Sequence, residues 1–149
     1  MKGFPEESLR ALYKYIHKEI PHENYREVDS DDEFRELYGN QGIYALFTSG
    51  LPCLYDANHR VIFFPSRNYL LKSEEPDYSK ALAAVAHEVG HYLSHNSSGR
   101  AQELISNTTL TPGERKEIEA LADEEADKLL KRLDLTDKYH EIRERLRKG

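Results

Sequence analysis

The chain has 149 residues, 38% hydrophobic and 32% charged, which suits one domain with its own core beneath a very polar surface. Its 27 acids against 21 Lys and Arg give a net charge of −6, which argues against a general nucleic-acid binder. The single Cys53 excludes an intramolecular disulfide framework and fits a reducing compartment.

Leu9, Leu12, Tyr13, Ile16 and Ile20 recur at helical spacing, which predicts an amphipathic helix over residues 6–19 ending before Pro21. This N-terminus is charged and has no signal-peptide apolar region, so the expected location is cytoplasmic. No apolar run approaches the ~18 residues of a membrane span, so no membrane contact is expected. Ser30 with Glu33 reads as a capping box for a short helix over 31–38 closed by Gly39. Strands are expected at 43–48, 53–56 and 60–64, separated by the turns Ser49-Gly50-Leu51-Pro52 and Ala57-Asn58-His59. They predict a small three-stranded sheet, antiparallel or at most mixed, and hence an α+β fold. Residues 65–78 read as a polar loop.

The segment 77–95, DYSKALAAVAHEVGHYLSH, predicts a helix capped by Asp77 or Ser79. Ala81 to Ala86, Val89, Tyr92 and Leu93 make it apolar nearly all round, as a buried core helix would be. Residues 96–110 read as a second loop with one helical turn near 101–105. Thr111-Pro112-Gly113-Glu114 combines a Thr cap, Pro at the first position and Glu at the third, and starts a helix running to about Leu133. Thr136 caps a last helix reaching Arg147. With no repeats and no linker, one domain is expected over 1–149: a helical segment 1–40, a core 41–133 and a C-terminal helix 134–149.

Inside the buried helix stands His87-Glu88-Val89-Gly90-His91, an H-E-x-x-H motif. Positions i and i+4 share one helix face, so both imidazoles reach a single cation. Glu88 adjoins the coordination position left open and suits a general base. Two His and a Glu in a core helix are costly unless something satisfies them, and one metal ion satisfies all three together.

The third ligand does not come from H-E-x-x-H-x-x-G-x-x-H, because Ser97 stands where that pattern needs His. His95 lies ~12 Å along the helix from His87, too far for one ion to bind His87, His91 and His95; it is expected to line the cleft or cap the helix. The next helix has an apolar stripe of Ile118, Leu121, Ala122, Ala126, Leu129, Leu130 and Leu133. Glu119 and Glu125 border that stripe, Asp123 sits further out, and Glu124 and Asp127 face solvent. Glu119 is preferred because Glu119-Ala120-Leu121-Ala122-Asp123 puts a second acid one turn on, where Asp123 could accept the free N–H of a ligating His. Glu125 and Asp123 remain the alternatives.

H-E-V-G-H followed by E-A-L-A-D resembles the gluzincin metallopeptidases, and Ala86 to His95, AHEVGHYLSH, preceded by the strand Arg60 to Phe64, is similar to the IrrE/ImmA group. The resemblance covers roughly residues 40–133. The chain departs from that group in carrying Glu124 and Glu125 after the acidic pair, and no counterpart of the C-terminal sensing domain of IrrE-type proteins is expected. The resemblance implies a zincin-like fold and one Zn²⁺ per chain on His87, His91 and Glu119. It implies Glu88 as catalytic base and Asp123 behind a ligating His. Its substrate would be a protein or peptide, with a helix-turn-helix transcriptional repressor as the family example. Tyr92, His95, His59 and Tyr55 are candidates for stabilising the oxyanion, and the strand 60–64 is the expected edge for an extended substrate. The rival is a non-catalytic protein-binding module that sequesters a repressor or toxin around a structural zinc, which would take a fourth ligand from Asp123, Glu125 or His95.

Overall fold

The computed structural model describes residues 3–39, 50–107 and 109–133. Helix α1 spans Gly3–Glu19, and a short 3₁₀ turn, His22–Asn24, leads into strand β1, Tyr25–Val28. Helix α2 is Asp31–Tyr38; strands β2 and β3 are Leu54–Asp56 and Val61–Pro65. Four helices follow: α3 Arg67–Leu71, α4 Tyr78–Ser97, α5 Gly99–Ile105 and α6 Pro112–Arg132. The expected strand 43–48 and the expected helix from Thr136 lie outside the described residues.

The caps fall at the expected residues, although the box expected of Ser30 and Glu33 closes one residue early, on Asp29 N rather than Ser30 N. Ser30 Oγ accepts from Glu33 N, and the Glu33 carboxylate accepts from Asp29 N. Asp77 caps α4 by accepting from Lys80 N, and Thr111 and Glu114 complete a reciprocal capping box at α6. The stretch expected as a polar loop contains α3, a five-residue helix that Ser66 caps through Tyr69 N.

The sheet is mixed, in the order β1-β3-β2. β2 and β3 form the expected antiparallel hairpin, Tyr55 facing Ile62. β1 lies parallel to β3, Tyr25 facing Ile62 and Val28 facing Pro65. No strand was expected at 25–28, and this pairing puts β3 in the middle. The strand anticipated as a substrate edge therefore has a neighbour on each side.

Being central explains its composition. Ile62 and Phe64 point into the main core, while Phe63 joins Val28 and Phe34 of α2 on the other face. A strand covered on both faces needs an unbroken apolar run rather than alternation. The main core brings Leu9, Leu12 and Ile16 of α1 against Leu82, Val85 and Val89 of α4, with Leu129 and Leu130 of α6. Cys53 is buried in this cluster. No residue from Tyr78 to His95 is exposed, so α4 is the core helix its sequence describes. Among the described residues no helix is long and apolar enough to cross a membrane.

α4 and α6 make the most extensive helix–helix packing. Their closest approach is at Gly90. A Cβ there would overlap the Ala122 carbonyl oxygen and stand 3.2 Å from Ala126 Cβ. Gly90→Ala tests this constraint, because helix propensity alone favours Ala by ~1 kcal/mol. Overpacking typically costs ~1–3 kcal/mol. Denaturant unfolding should therefore show a net loss of stability, and a gain would mean that the crossing is loose.

Candidate metal centre

α4 presents His87 and His91 on one face, and α6 brings Glu119 across them. His87 Nε2 lies 2.6 Å from Glu119 Oε2 and 3.1 Å from His91 Nε2; His91 Nε2 lies 3.4 Å from Glu119 Oε2. Among the described residues this is the group of ligand atoms that could hold a metal ion. Tetrahedral zinc with bonds of ~2.0–2.1 Å sets its donor atoms ~3.3 Å apart. Two of the three separations already match that edge, and the third needs to open by roughly 0.7 Å. Two imidazoles and a carboxylate are also the donor types zinc takes.

Asp123 Oδ1 stands 3.0 Å from His87 Nδ1. With one proton held on Nδ1 by this carboxylate, loss of the Nε2 proton to an incoming metal would leave the Nε2 lone pair aimed at the shared point. Glu125 is not part of the group: it pairs with Lys128 on its own helix, as does Glu124. Asp127, expected to face solvent, is half-buried with Oδ1 shielded from water.

Glu88 is half-buried beside the cluster and takes the backbone N–H of Tyr55 in β2. Burial raises its pKa, against the pull of His91 and His87. Glu119 goes the other way: hydrogen bonds from His87 and His91 hold its carboxyl far below the usual range. For His87, burial disfavours the charged ring, but the hydrogen bond to Glu119, with Glu88 and Asp123, outweighs it and raises the pKa to about 9.

The four oxyanion candidates separate. The Tyr55 ring lies parallel to His91, and its hydroxyl is hydrogen-bonded to His95 Nδ1 at 2.7 Å. Tyr92 is core, edge-on to Tyr55, and His59 turns away to Asp56 Oδ2. His95 is buried, and Gln102 Nε2 donates to its carbonyl. The sequence reading missed Gly90, although a glycine within a helix facing the small Ala122 and Ala126 is itself a signal of close approach. It also passed over Arg60, which carries no motif. No family model, no curated protein and no solved structure matches the chain.

In metal-free protein His87 should titrate near 9 by NMR, not near 6.5. Because its folded pKa is raised, its stabilisation is complete below about 6.5 and is lost as pH rises through about 9. Metal-free protein should therefore weaken to urea across that window, and a flat profile with a normal His87 titration would contradict the Glu119 pairing. On the metal side, Asp123→Asn should weaken zinc binding by ~10–100-fold, the usual cost of an outer partner. Glu119→Ala should weaken it further, and Glu125→Gln should leave it unchanged. Normal zinc content in Glu119→Ala, by elemental analysis, would remove Glu119 from the site.

Proposed function

We propose that the protein is a zinc-dependent endopeptidase of the gluzincin type, resembling the IrrE/ImmA group, on a single zincin-like domain. The supporting observation is the convergence of His87 Nε2, His91 Nε2 and Glu119 Oε2 beside the carboxyl of Glu88. His87, His91 and Glu119 would hold one Zn²⁺ per chain. That ion, when bound, lowers the pKa of a water from about 15.7 toward ~7 and polarises a peptide carbonyl.

Glu88 accepts the proton of the attacking water and delivers it to the leaving amine. Burial suits it to both halves of that task, since a carboxyl with a raised pKa holds the proton longer between them. Asp123 keeps His87 in the ligating tautomer. Tyr55, pushed up to about 12 by burial, remains a protonated donor at neutral pH. Because β3 is the middle strand and β2 an edge among the described residues, an extended substrate would lie along β2, which Tyr55 N–H ties to Glu88.

The substrate class is a protein or peptide partner, with a helix-turn-helix repressor as the family-level example, in the cytoplasm. The zinc-brace alternative needs a fourth protein ligand and has no use for Glu88. Among the described residues the ligand group has three members.

Glu88→Gln decides between them. It should keep about one zinc per chain yet lose cleavage of a co-expressed partner by ~10²–10⁴-fold, the usual worth of a general base. Cleavage at the parent's rate would sink the mechanism.

A further inference from the structure

Arg60 closes the turn between β2 and β3, and three observations single it out. Among the described residues it is the one non-glycine with positive φ, at 55°. Arginine has no intrinsic preference for that region, so the surrounding structure must hold it there. It is clamped at both ends: Asn24 Nδ2 donates to its carbonyl at 2.9 Å, and its Nη1 donates to Asn96 Oδ1 at 2.6 Å. Its position is also specific to the site, since Asn96 follows His95, which holds the hydroxyl of Tyr55, whose ring lies parallel to the ligand His91. The guanidinium is near enough for its charge to reach both the Tyr55 phenol and the His95 ring.

Arg60 is exposed, and the bond to Asn96 uses one of its five N–H donors. Among the described residues the others meet no acceptor. A rigidly held guanidinium fork with free donors suits a carboxylate. The metal centre carries the acids Glu88, Glu119 and Asp123, and Arg60 is a cation held beyond them, at the C-terminal end of α4, by Asn96.

A substrate running parallel to α4 would set the register. From His91 to Asn96 is ~7.5 Å along the helix axis at 1.5 Å per residue. An extended substrate advances ~3.3 Å per residue, so the guanidinium meets a group about two residues from the cleaved bond. Resting on the peptidase assignment above, we propose that Arg60 is a specificity residue that binds a substrate carboxylate about two residues from the scissile peptide. That carboxylate is either an Asp or Glu side chain or the terminus of a short peptide.

The test uses zinc-loaded Glu88→Gln protein and fluorescent peptide pools carrying a fixed Glu, Gln or Lys, each with a free or an amidated C-terminus. Binding should be roughly tenfold tighter for Glu than for Gln pools, and weaker still for Lys. A preference kept in amidated peptides assigns the side chain, and one confined to free C-termini assigns the terminus. Adding Arg60→Glu should reverse the order, so that Lys pools bind best. In the Glu88 parent, the same change should raise KM for acidic peptides with little change in kcat. Asn96→Ala releases the clamp alone and should blunt the preference without reversing it.

If Arg60 only braces the turn, Arg60→Glu lowers stability and weakens all pools alike, which overturns the proposal. Equal binding of Glu and Gln pools, or no binding of any pool, also overturns it. Selective binding without cleavage by the parent would instead sink the peptidase assignment and leave the carboxylate site standing.

Discussion

Two helices can aim short polar side chains at one point only if their backbones come close. Helices with large residues at the contact stay near the ~10 Å end of the usual spacing, and small residues let them approach further. Here Gly90 faces the Ala122 carbonyl and Ala126. Glu119 lies one turn before Ala122 and Asp123 directly after it, so the same contact that seats the helices sets both acids over His87. Below the crossing, Ala126, Leu129 and Leu130 are fully buried and keep that end dry. The polar groups are thus confined to the other end of the interface.

That confinement creates an electrostatic problem that a metal ion would resolve. Three carboxylates and two imidazoles crowd one end of a helix pair, and such a cluster is costly to desolvate unless its members compensate one another. His87 and Glu119 do so as an ion pair. Glu88 is set apart: burial pushes its pKa up while hydrogen bonds push that of Glu119 down. Two carboxyls in one site thereby acquire opposite characters, one a permanent anion fit to ligate and one able to take and return a proton.

Local signals carried much of this. α1 was legible from its helical spacing, α2 from its Ser30 cap and closing Gly39, and α4 and α6 from apolar pattern and side-chain cap together. His87, His91, Glu119 and Asp123 were legible because a helix converts sequence spacing into facing positions. β1 was not, since Tyr25-Arg26-Glu27-Val28 is short and half charged, and only pairing with β3 makes it a strand. The centrality of β3 was missed for the same reason: its unbroken apolar run reports cover on both faces, not a neighbour on each edge. α3 hid in a polar stretch whose Ser66 cap is its main local mark. Tyr55 and Arg60 depend on where a hairpin lands across α4, which no local pattern encodes.

The exposure of the three ligands bears on what the site can do. The side chains of His91, His87 and Glu119 are 13%, 26% and 57% exposed, so the two histidines are the covered members of the cluster and Glu119 its open one. A structural brace gains from closure on every side, because water competes for its ligands. A site that must admit a peptide needs one open wall and one rigid wall. β2 supplies the rigid wall, fixed to α4 at both ends of Tyr55, by its N–H to Glu88 and its O–H to His95. Glu88 and the strand beside it are therefore positioned by one residue, Tyr55.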